Sequence, residues 1–324
     1  AMTLMGLGAF PRNHRLALGM LGMHGTQYAN HAVTHCDLII SLGARFDDRV
    51  TGKVSEFAKQ AEIAHIDIDR AEIEKIVSLD YAIAGDLKTA LLAILSQVEY
   101  QPREDWLSQL EGWKTRYPLK YHLDGDRIKP QYFLEKLSEA TKGKAIIATD
   151  VGQHQMWVAQ YYQFLEHRTM LTSGGLGTMG FGFPAAMGAK LGMEDKVVIT
   201  VSGDGSFQMN IQELGTCAMY GINLKIIILN NGFLGMVRQW QDLFYESRFS
   251  HTDFESNPDF VKLAEAYGLS GKKITKMDQV EEGIDFLLNS EKTAILEVII
   301  PEEEKVYPMI PAGQPYDTII DIDD

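Results

Sequence analysis

The sequence predicts an α/β protein with two doubly wound parallel-sheet domains, and three observations support this prediction. Short apolar runs alternate with longer segments of helical periodicity. The runs are apolar throughout, which is typical of parallel strands that are covered on both faces. The 324 residues are enough for two domains at roughly 150 residues each, so a large buried core is expected.

A first domain is predicted over 1–98, and a linker with one helix over 99–129, where prolines interrupt the pattern. Trp106, Leu110 and Trp113 form the apolar side of that helix. In the first domain the predicted strands are 38–42 and 63–68, and the predicted helices are 54–60, 71–77 and 87–98.

A second domain is predicted over 130–300, followed by an acidic, partly ordered arm over 301–324. Strands and helices alternate in the second domain, which indicates a parallel sheet. The predicted strands are 145–149, 169–172, 197–201, 224–229 and 294–300, and the predicted helices are 131–141, 155–164, 184–191, 207–220, 234–244, 260–267 and 280–288.

The charge balance argues against several classes of partner. The 44 acidic and 30 basic side chains give a formal net charge of −14, which repels nucleic acids and acidic bilayers. No apolar run approaches the roughly 18 residues that span a membrane, and we expect a cytoplasmic protein. Cys36 and Cys217 lie in different predicted elements, so no disulfide is expected and a reducing compartment fits.

Polar residues follow two consecutive predicted strands of the second domain. One strand runs into Gly203, Asp204 and Gly205, and the next runs into Asn231. Parallel strands joined by one crossover end at the same edge of a sheet, so Asp204 and Asn231 are expected to converge. With the backbone carbonyl of Phe233 they form an all-oxygen set that suits Mg²⁺ and a diphosphate. The two glycines let the backbone approach that anion.

Taken alone, the two turns are also consistent with ordinary strand-to-helix connections. Their spacing, 24 residues between Gly205 and Asn230, resembles the motif of the thiamin diphosphate enzymes. Other segments extend the resemblance to the large catalytic subunits of the acetohydroxyacid synthase (acetolactate synthase) family. These segments are 21–25, 43–52, 150–157, 173–182 and 235–240.

The resemblance implies that pyruvate is decarboxylated and that the resulting two-carbon unit is joined to a second 2-ketoacid. Chains of this family have a pyrimidine domain, a flavin-binding middle domain and a diphosphate domain, and this sequence matches the latter part of the second and all of the third. Its beginning at Ala1 and Met2 looks cut. The family's pyrimidine domain carries a glutamate that drives proton transfer, so we expect the chain alone to be nearly inactive. It is then either a non-catalytic fragment or a half-enzyme that needs a pyrimidine domain in trans.

The same resemblance assigns the cofactor residues. Asp204, Asn231 and the Phe233 carbonyl would hold Mg²⁺, and Met236 would press thiamin diphosphate into a bent form. By a structural interpretation His154 is an ordinary loop histidine. The residues expected to line the cofactor are Val151, Gly152, Gln153, His154, Gly177, Met179, Gly203, Asp204, Gly205, Ser206 and Asn231.

Roles for substrate and flavin also follow from the resemblance. Arg49 would bind the carboxylate of the second 2-ketoacid, and Trp240 would form a wall that favours 2-ketobutyrate. By a structural interpretation they are a solvated arginine and a core tryptophan. Arg45, Asp67 and Asp86 would contact FAD, at a site that we expect to be incomplete. The family further implies a homo-oligomer and a small regulatory subunit.

Two other motifs suggest different chemistry. Residues 175–180 match the dinucleotide fingerprint and are followed by Asp204, so an NAD-dependent oxidoreductase is the alternative enzyme. That alternative leaves the asparagine pair unexplained. His31 and His35 have the spacing of a metalloprotease helix, but Ala32 stands where the general base would be. We interpret the two histidines as one face of a helix.

Overall fold

Two parallel sheets organise the chain, and each lies in its own unit. The computed structural model describes residues 1–323. This confirms the predicted α/β class with two parallel sheets, whereas the predicted domain limits stay a prediction. The first unit comprises Ala1–Thr3, Leu18–Lys120 and the chain from Tyr307 onward, and the second comprises Leu4–Ala17 and Tyr121–Val306.

The first unit has a three-stranded sheet in the order β1-β2-β3, with all neighbours parallel. Short 3-10 helices lie at Val54–Glu56 and Tyr316–Thr318. The strands are β1 (Leu38–Leu42), β2 (Glu62–Asp67) and β3 (Tyr81–Ala84), and the helices are α1 (Gln27–His35), α2 (Asp48–Thr51), α3 (Leu87–Leu95) and α4 (Glu104–Arg116).

The second unit has a six-stranded parallel sheet in the order β5-β4-β6-β7-β9-β8. None of the helices formed by residues 1–323 combines the length and the apolar character needed to cross a bilayer. The strands are β4 (Ile146–Thr149), β5 (Met170–Leu171), β6 (Val198–Gly203), β7 (Lys225–Asn230), β8 (Ser270–Ile274) and β9 (Ala294–Ile299). The helices are α5 (Pro130–Thr141), α6 (Gln153–Tyr161), α7 (Gly182–Gly192), α8 (Asp204–Phe207), α9 (Glu213–Tyr220), α10 (Gly235–Phe244), α11 (Phe260–Ala266) and α12 (Val280–Asn289), with 3-10 helices at Leu4–Gly6, Gln208–Asn210 and Met277–Gln279.

Strand register brings the two polar turns of the second unit to one edge. β6 and β7 are adjacent, and Gly203 pairs with Leu229 at the ends of both strands. Asp204 directly follows β6 and Asn231 directly follows β7, so the two residues leave the sheet at the same edge.

The core of the second unit lies on this sheet. β4 and β7 are buried along their whole length, which explains why their sequences read as continuous apolar runs. Burying one Ile, Leu or Phe side chain contributes about 1.5–3 kcal/mol. One apolar cluster of the second unit includes Ile146, Ala148, Phe183, Met187, Phe207, Leu214, Ile226, Ile228 and Phe260.

In the first unit, α4 packs on α1 through an aromatic contact. Trp113 stacks on His31, with ring centroids 5.5 Å apart, and lies 5.2 Å from the ring of His35. Leu110 is buried in the same cluster with Ala29. The two histidines thus share one helix face, as interpreted from the sequence, and the helix predicted as part of a linker belongs to the first unit.

Several predicted elements differ from the structure. Residues 71–77 form turns instead of a helix, because the carboxylates of Asp67 and Asp69 accept the backbone N–H groups of Asp69 and Ala71. The predicted helix 207–220 is divided into α8, a 3-10 helix and α9, and 54–60 holds only a short 3-10 helix.

The sequence also missed two strands and a buried tail segment. β3 is an apolar run of only four residues, exposed at every position, and is too short to stand out as a strand. β8 carries two lysines and so lacks the apolar pattern that predicts a strand. Val306, Met309 and Ile310 are buried, although they lie in the segment predicted as a partly ordered arm. Their apolar side chains outweigh the acidic composition of that segment.

Candidate functional site

A cleft lies at the carboxyl edge of the second sheet, among the loops that follow β4, β6 and β7. β4 and β6 are neighbours in the sheet. The chain continues from β4 to β5 in one direction along the sheet and from β6 to β7 in the other, so the gap between β4 and β6 is a topological switch point, where α/β sheets bind ligands. About 490 Å³ of space there is free of protein atoms and partly open to solvent. The lining residues include Val151, Gly152, Gln153, His154, Met179, Gly203, Asp204, Gly205, Ser206, Asn231, Phe233, Leu234, Gly235 and Met236.

Nearly all cofactor, cation and substrate residues predicted in the second unit line this cleft. Within the described part of the chain, Gly177 and Trp240 are the exceptions. A Cβ at Gly177 would lie 3.8 Å from Val151, so Gly177 is next to a lining residue. Trp240 packs edge to face on Phe244, with ring centroids 5.3 Å apart.

Asp204 is a buried carboxylate at the first position of α8. Its side chain accepts a hydrogen bond from Asn257 Nδ2 at 2.7 Å, and the residue is 1% exposed. Burial raises the pKa of Asp204 to about 6, while Asn257 and the backbone of Asn231 and Gly205 act in the opposite direction. Among the described residues no cationic side chain forms an ion pair with Asp204. A buried carboxylate without such a partner fits a site that receives a cation.

Asn231 lines the same cleft, in a turn that its own side chain closes. Its Oδ1 accepts the backbone N–H of Phe233 at 3.1 Å, and its Nδ2 donates to Gln153 Oε1 at 3.2 Å. The structure therefore brings Asp204 and Asn231 to one cleft, as their spacing predicts. Among residues 1–323 no three His, Cys, Asp or Glu side chains are grouped as a metal site, so a cation here depends on amide and carbonyl oxygens as well.

His154 lies against two glycines of the cleft. A Cβ at Gly152 would be 2.9 Å from His154 Cε1, and one at Gly203 would be 3.1 Å from Nδ1. Burial lowers the pKa of His154 to about 3, opposed by a hydrogen bond with the backbone of Asp150, so the ring is neutral. Its Nε2 is buried and has no hydrogen-bond partner. An unpaired buried nitrogen is costly unless a ligand or water pairs with it.

The glycine at 205, which lines the cleft, is also required by packing. A Cβ there would lie 2.6 Å from the ring of Phe254, so Gly205 makes room for this ring. The helix begins at Asp204, one residue before this glycine, so the glycine lies within the helix.

Asp150 holds together two loops that border the cleft. Its Oδ1 accepts the backbone N–H groups of Val151 at 2.9 Å and Gly180 at 2.8 Å, and its Oδ2 accepts that of Gly182 at 3.2 Å. The residue is fully buried, and burial raises its pKa. Sequence reasoning included Asp150 in a motif without giving it a role.

Sequence reasoning also missed a buried glutamine pair. Gln153 Nε2 donates to Gln239 Oε1 at 2.9 Å and to the backbone carbonyl of Glu304 at 2.8 Å. Gln239 in turn accepts the N–H of Val306 at 2.8 Å. The pair connects the start of α6 with α10 and with the segment after β9. The two glutamines are 86 positions apart in the sequence, so no local pattern could have revealed their contact.

The residues predicted for FAD lie in the first unit. Arg45 follows β1, Asp67 ends β2 and Asp86 follows β3, so all three are at the carboxyl edge of the three-stranded sheet. Asp86 caps α3 by accepting the N–H of Thr89 at 2.8 Å. Arg45 is exposed and pairs with Asp47 at 2.7 Å.

Arg49, predicted to bind substrate, lies on α2 in the first unit. Its side chain is 61% exposed and pairs with Asp48 at 3.0 Å. A pair with this exposure contributes little to stability, so the guanidinium is available for a ligand.

Two profiles of known families match the sequence. The profile described as thiamine pyrophosphate enzyme, C-terminal TPP binding domain, matches residues 150–298, which contain the whole lining of the cleft apart from Ile300. The profile described as thiamine pyrophosphate enzyme, central domain, matches residues 1–94. The chain belongs to the thiamine pyrophosphate enzyme family. A site for thiamin diphosphate (thiamine pyrophosphate) is thereby confirmed, and the nicotinamide interpretation of 175–180 is not retained.

Curated relatives of this thiamine pyrophosphate enzyme are acetolactate synthases. The chain is 48% identical to acetolactate synthase 2, chloroplastic, of Nicotiana tabacum, over 99% of this chain and 50% of the relative. It is 48% identical to the acetolactate synthase isozyme 2 large subunit of Escherichia coli, over 96% of this chain and 56% of the relative. It is 47% identical to the acetolactate synthase large subunit of Lactococcus lactis, over 98% of this chain and 55% of the relative. The resemblance to these large subunits is confirmed, and the chain spans about half the length of the curated relatives it matches.

Proposed function

We propose that this chain forms the middle and thiamin-diphosphate-binding parts of an acetolactate synthase, which joins a two-carbon unit from pyruvate to a second 2-ketoacid. The observation that carries this proposal is the cleft in which the buried carboxylate of Asp204 and the carboxamide of Asn231 meet. The names of the relatives support the reaction class. Thiamin diphosphate, when bound, supplies the electron sink for decarboxylation.

The chain's own residues then bind and orient the cofactor. Asp204, Asn231 and the carbonyl of Phe233 would hold Mg²⁺, whose remaining positions go to diphosphate and water. The donor set fits, because one buried carboxylate without a cationic partner and two neutral oxygens are available in the same cleft. His154 is neutral and presents an unpaired Nε2 in the same lining, so it can pair with a bound group without repelling the cation. Met236 would pack against the organic part of the cofactor.

Calorimetric titration tests the cofactor assignment. We expect thiamin diphosphate to bind the chain only when Mg²⁺ is present, and NADH not to bind. Thiamin monophosphate is the matched control, because it lacks the second phosphate that would bridge to the cation. Equal binding of thiamin diphosphate with and without Mg²⁺ would contradict the proposed cation site.

The cation affinity should depend on pH through Asp204. Its pKa is raised to about 6 by burial, so a proton competes with Mg²⁺ below that value. We expect the Mg²⁺-dependent affinity for thiamin diphosphate to be about tenfold weaker near pH 5 than near pH 7. One pH unit below its pKa, only about a tenth of the Asp204 carboxyl groups are ionised and able to bind the cation. Titrations across this range measure the change. A constant affinity across it would contradict the assignment of Asp204 as a ligand.

FAD is proposed for the first unit. Arg45, Asp67 and Asp86 lie in three successive loops at the carboxyl edge of a parallel sheet, which is where dinucleotides bind. A guanidinium suits a phosphate, and the carboxylates suit hydroxyl groups. These residues therefore fit a flavin nucleotide, which by family resemblance has no net redox role in the reaction.

Substrate roles complete the proposal. Arg49 would bind the carboxylate of the second 2-ketoacid, and Trp240 would favour the larger acceptor. The chain would work in a homo-oligomer, and the words "large subunit" in the names of two relatives support a small-subunit partner.

An activity assay tests the role of a pyrimidine domain. We expect the chain with thiamin diphosphate, Mg²⁺ and FAD to form acetolactate from pyruvate at less than about a thousandth of the rate reached when a pyrimidine domain is added in trans, because the general acid–base contribution comes from that domain. The assay should be repeated after mixing, together with a sedimentation measurement of complex formation. Full turnover by the chain alone would contradict this expectation.

A further inference from the structure

Asn257 contacts the proposed cation ligand from a distant part of the chain. Its Nδ2 donates to Asp204 Oδ2 at 2.7 Å, which is the one side-chain hydrogen bond that Asp204 accepts among the described residues. The other carboxylate oxygen has no side-chain partner in that part of the chain. A hydrogen bond to one oxygen limits the rotation of a carboxylate and thereby sets the direction in which its second oxygen points.

Gln208 determines which way the Asn257 amide points. Gln208 Nε2 donates to Asn257 Oδ1 at 3.1 Å and to the backbone carbonyl of Asp204 at 3.0 Å. Because the carbonyl end of Asn257 is occupied by this donor, its NH₂ end faces Asp204. The three residues therefore form a directed chain from Gln208 to the carboxylate.

The segment that carries Asn257 is tied to the cleft at several points. The backbone carbonyl of Thr252 accepts the N–H of Leu234 at 2.7 Å, and the N–H of Phe254 donates to the carbonyl of Gly232 at 2.8 Å. The ring of Phe254 occupies the space beside Gly205. The segment just before Asn257 is thus held by backbone hydrogen bonds to the turn that follows β7, where Asn231 lies.

We propose that Asn257 is a positioning residue that limits the rotation of the Asp204 carboxylate and so sets the direction in which its other oxygen meets the cation. The proposal rests on the proposed function, because it needs Asp204 to bind a divalent ion. It extends that function to a residue 53 positions away, which no motif includes.

Mn²⁺ binding in the presence of thiamin diphosphate tests this role. For Asn257→Ala we expect affinity for Mn²⁺ to fall about tenfold, measured by electron paramagnetic resonance, and the spectrum of the bound ion to change, since the carboxylate can rotate. Gln208→Met, which removes the donor that orients the amide, should cause a smaller loss of the same kind. The double variant should bind no more weakly than Asn257→Ala, because Gln208 acts through Asn257.

Asn223→Ala is the matched control. Like Asn257, Asn223 donates from its side-chain amide to a distant part of the chain, but its acceptors are the backbone carbonyls of Ser290 and Glu291, at the opposite end of β7. This variant should lower thermal stability without changing the Mn²⁺ affinity or spectrum. If Asn257→Ala does not fold, Gln208→Met alone decides the question.

The outcomes separate the two proposals. Wild-type protein that binds no Mn²⁺ with thiamin diphosphate would overturn the proposed function itself. Normal wild-type binding, with Asn257→Ala and Gln208→Met unchanged in affinity and spectrum, would leave the proposed function intact and overturn the positioning role. Additive losses in the double variant would also overturn it.

Discussion

Replacing Asp204 with asparagine should weaken Mg²⁺-dependent binding of thiamin diphosphate at least about 100-fold, or about 2.7 kcal/mol. The substitution keeps the size of the side chain but removes the negative charge that would bind the cation. Isothermal titration with Mg²⁺ and thiamin diphosphate measures the loss. An affinity within threefold of the wild type would show that Asp204 is not a ligand.

The same variant should be as stable as the wild type, or more stable, when no cation is present. Because the pKa of Asp204 in the folded protein lies above its ordinary value of 3.8, protonation favours the folded state. The free energy of unfolding therefore falls as the pH rises from about 4 to about 6, by at most about 3 kcal/mol. Asparagine has no charge to bury, so the variant avoids this loss of stability. We therefore expect cofactor binding to weaken while the free energy of unfolding stays the same or rises.

Asp285→Asn controls for the change in net charge. Asp285 is exposed on α12, and its loss should alter neither stability nor cofactor binding. If Asp204→Asn were to unfold the protein, the carboxylate would be structural, and the opposite signs predicted here would not be found.

Replacing Gly182 with alanine should destabilise the second unit by at least about 3 kcal/mol. Gly182 begins α7 against the end of β4, and a Cβ there would lie 2.5 Å from the backbone N of Asp150 and 2.8 Å from the carbonyl carbon of Thr149. Backbone atoms in a buried strand cannot move aside without breaking the sheet. Urea unfolding, followed by circular dichroism, measures the free energy of unfolding.

Gly188→Ala in the same helix is the matched control. Gly188 is exposed, and no atom lies within 4 Å of the position of a Cβ there. Alanine should therefore stabilise the protein by about 0.5–1 kcal/mol, because it loses less conformational entropy than glycine in a helix. Equal effects at 182 and 188 would show that the close approach of α7 to β4 does not limit stability.

The sequence was most informative where strands are buried on both faces. β4, β6, β7 and β9 were predicted within one or two residues, because each is a continuous apolar run bounded by turns. β8 was missed, since an edge strand with two lysines lacks that pattern. The predicted helix over 71–77 was wrong, because Asp67 and Asp69 form local hydrogen bonds that favour turns.

For the candidate site, the sequence predicted which loops meet. The residues that line the cleft follow strand ends, so their convergence can be derived from the order of parallel strands. Gly177 and Trp240 were expected in the site by family resemblance; Gly177 lies next to a lining residue, Trp240 packs on Phe244, and their roles stay predictions. The roles of Arg45, Arg49 and the other first-unit residues stay predictions.

By itself, the sequence determined the α/β class and the meeting of Asp204 with Asn231, because apolar periodicity and parallel connections leave few other arrangements. Only the tertiary structure decided what surrounds that pair. Asn257 reaches Asp204 across 53 positions, and Gln153 reaches Gln239 across 86. Hydrogen bonds between such distant residues depend on how the loops pack, and no local sequence pattern encodes that packing.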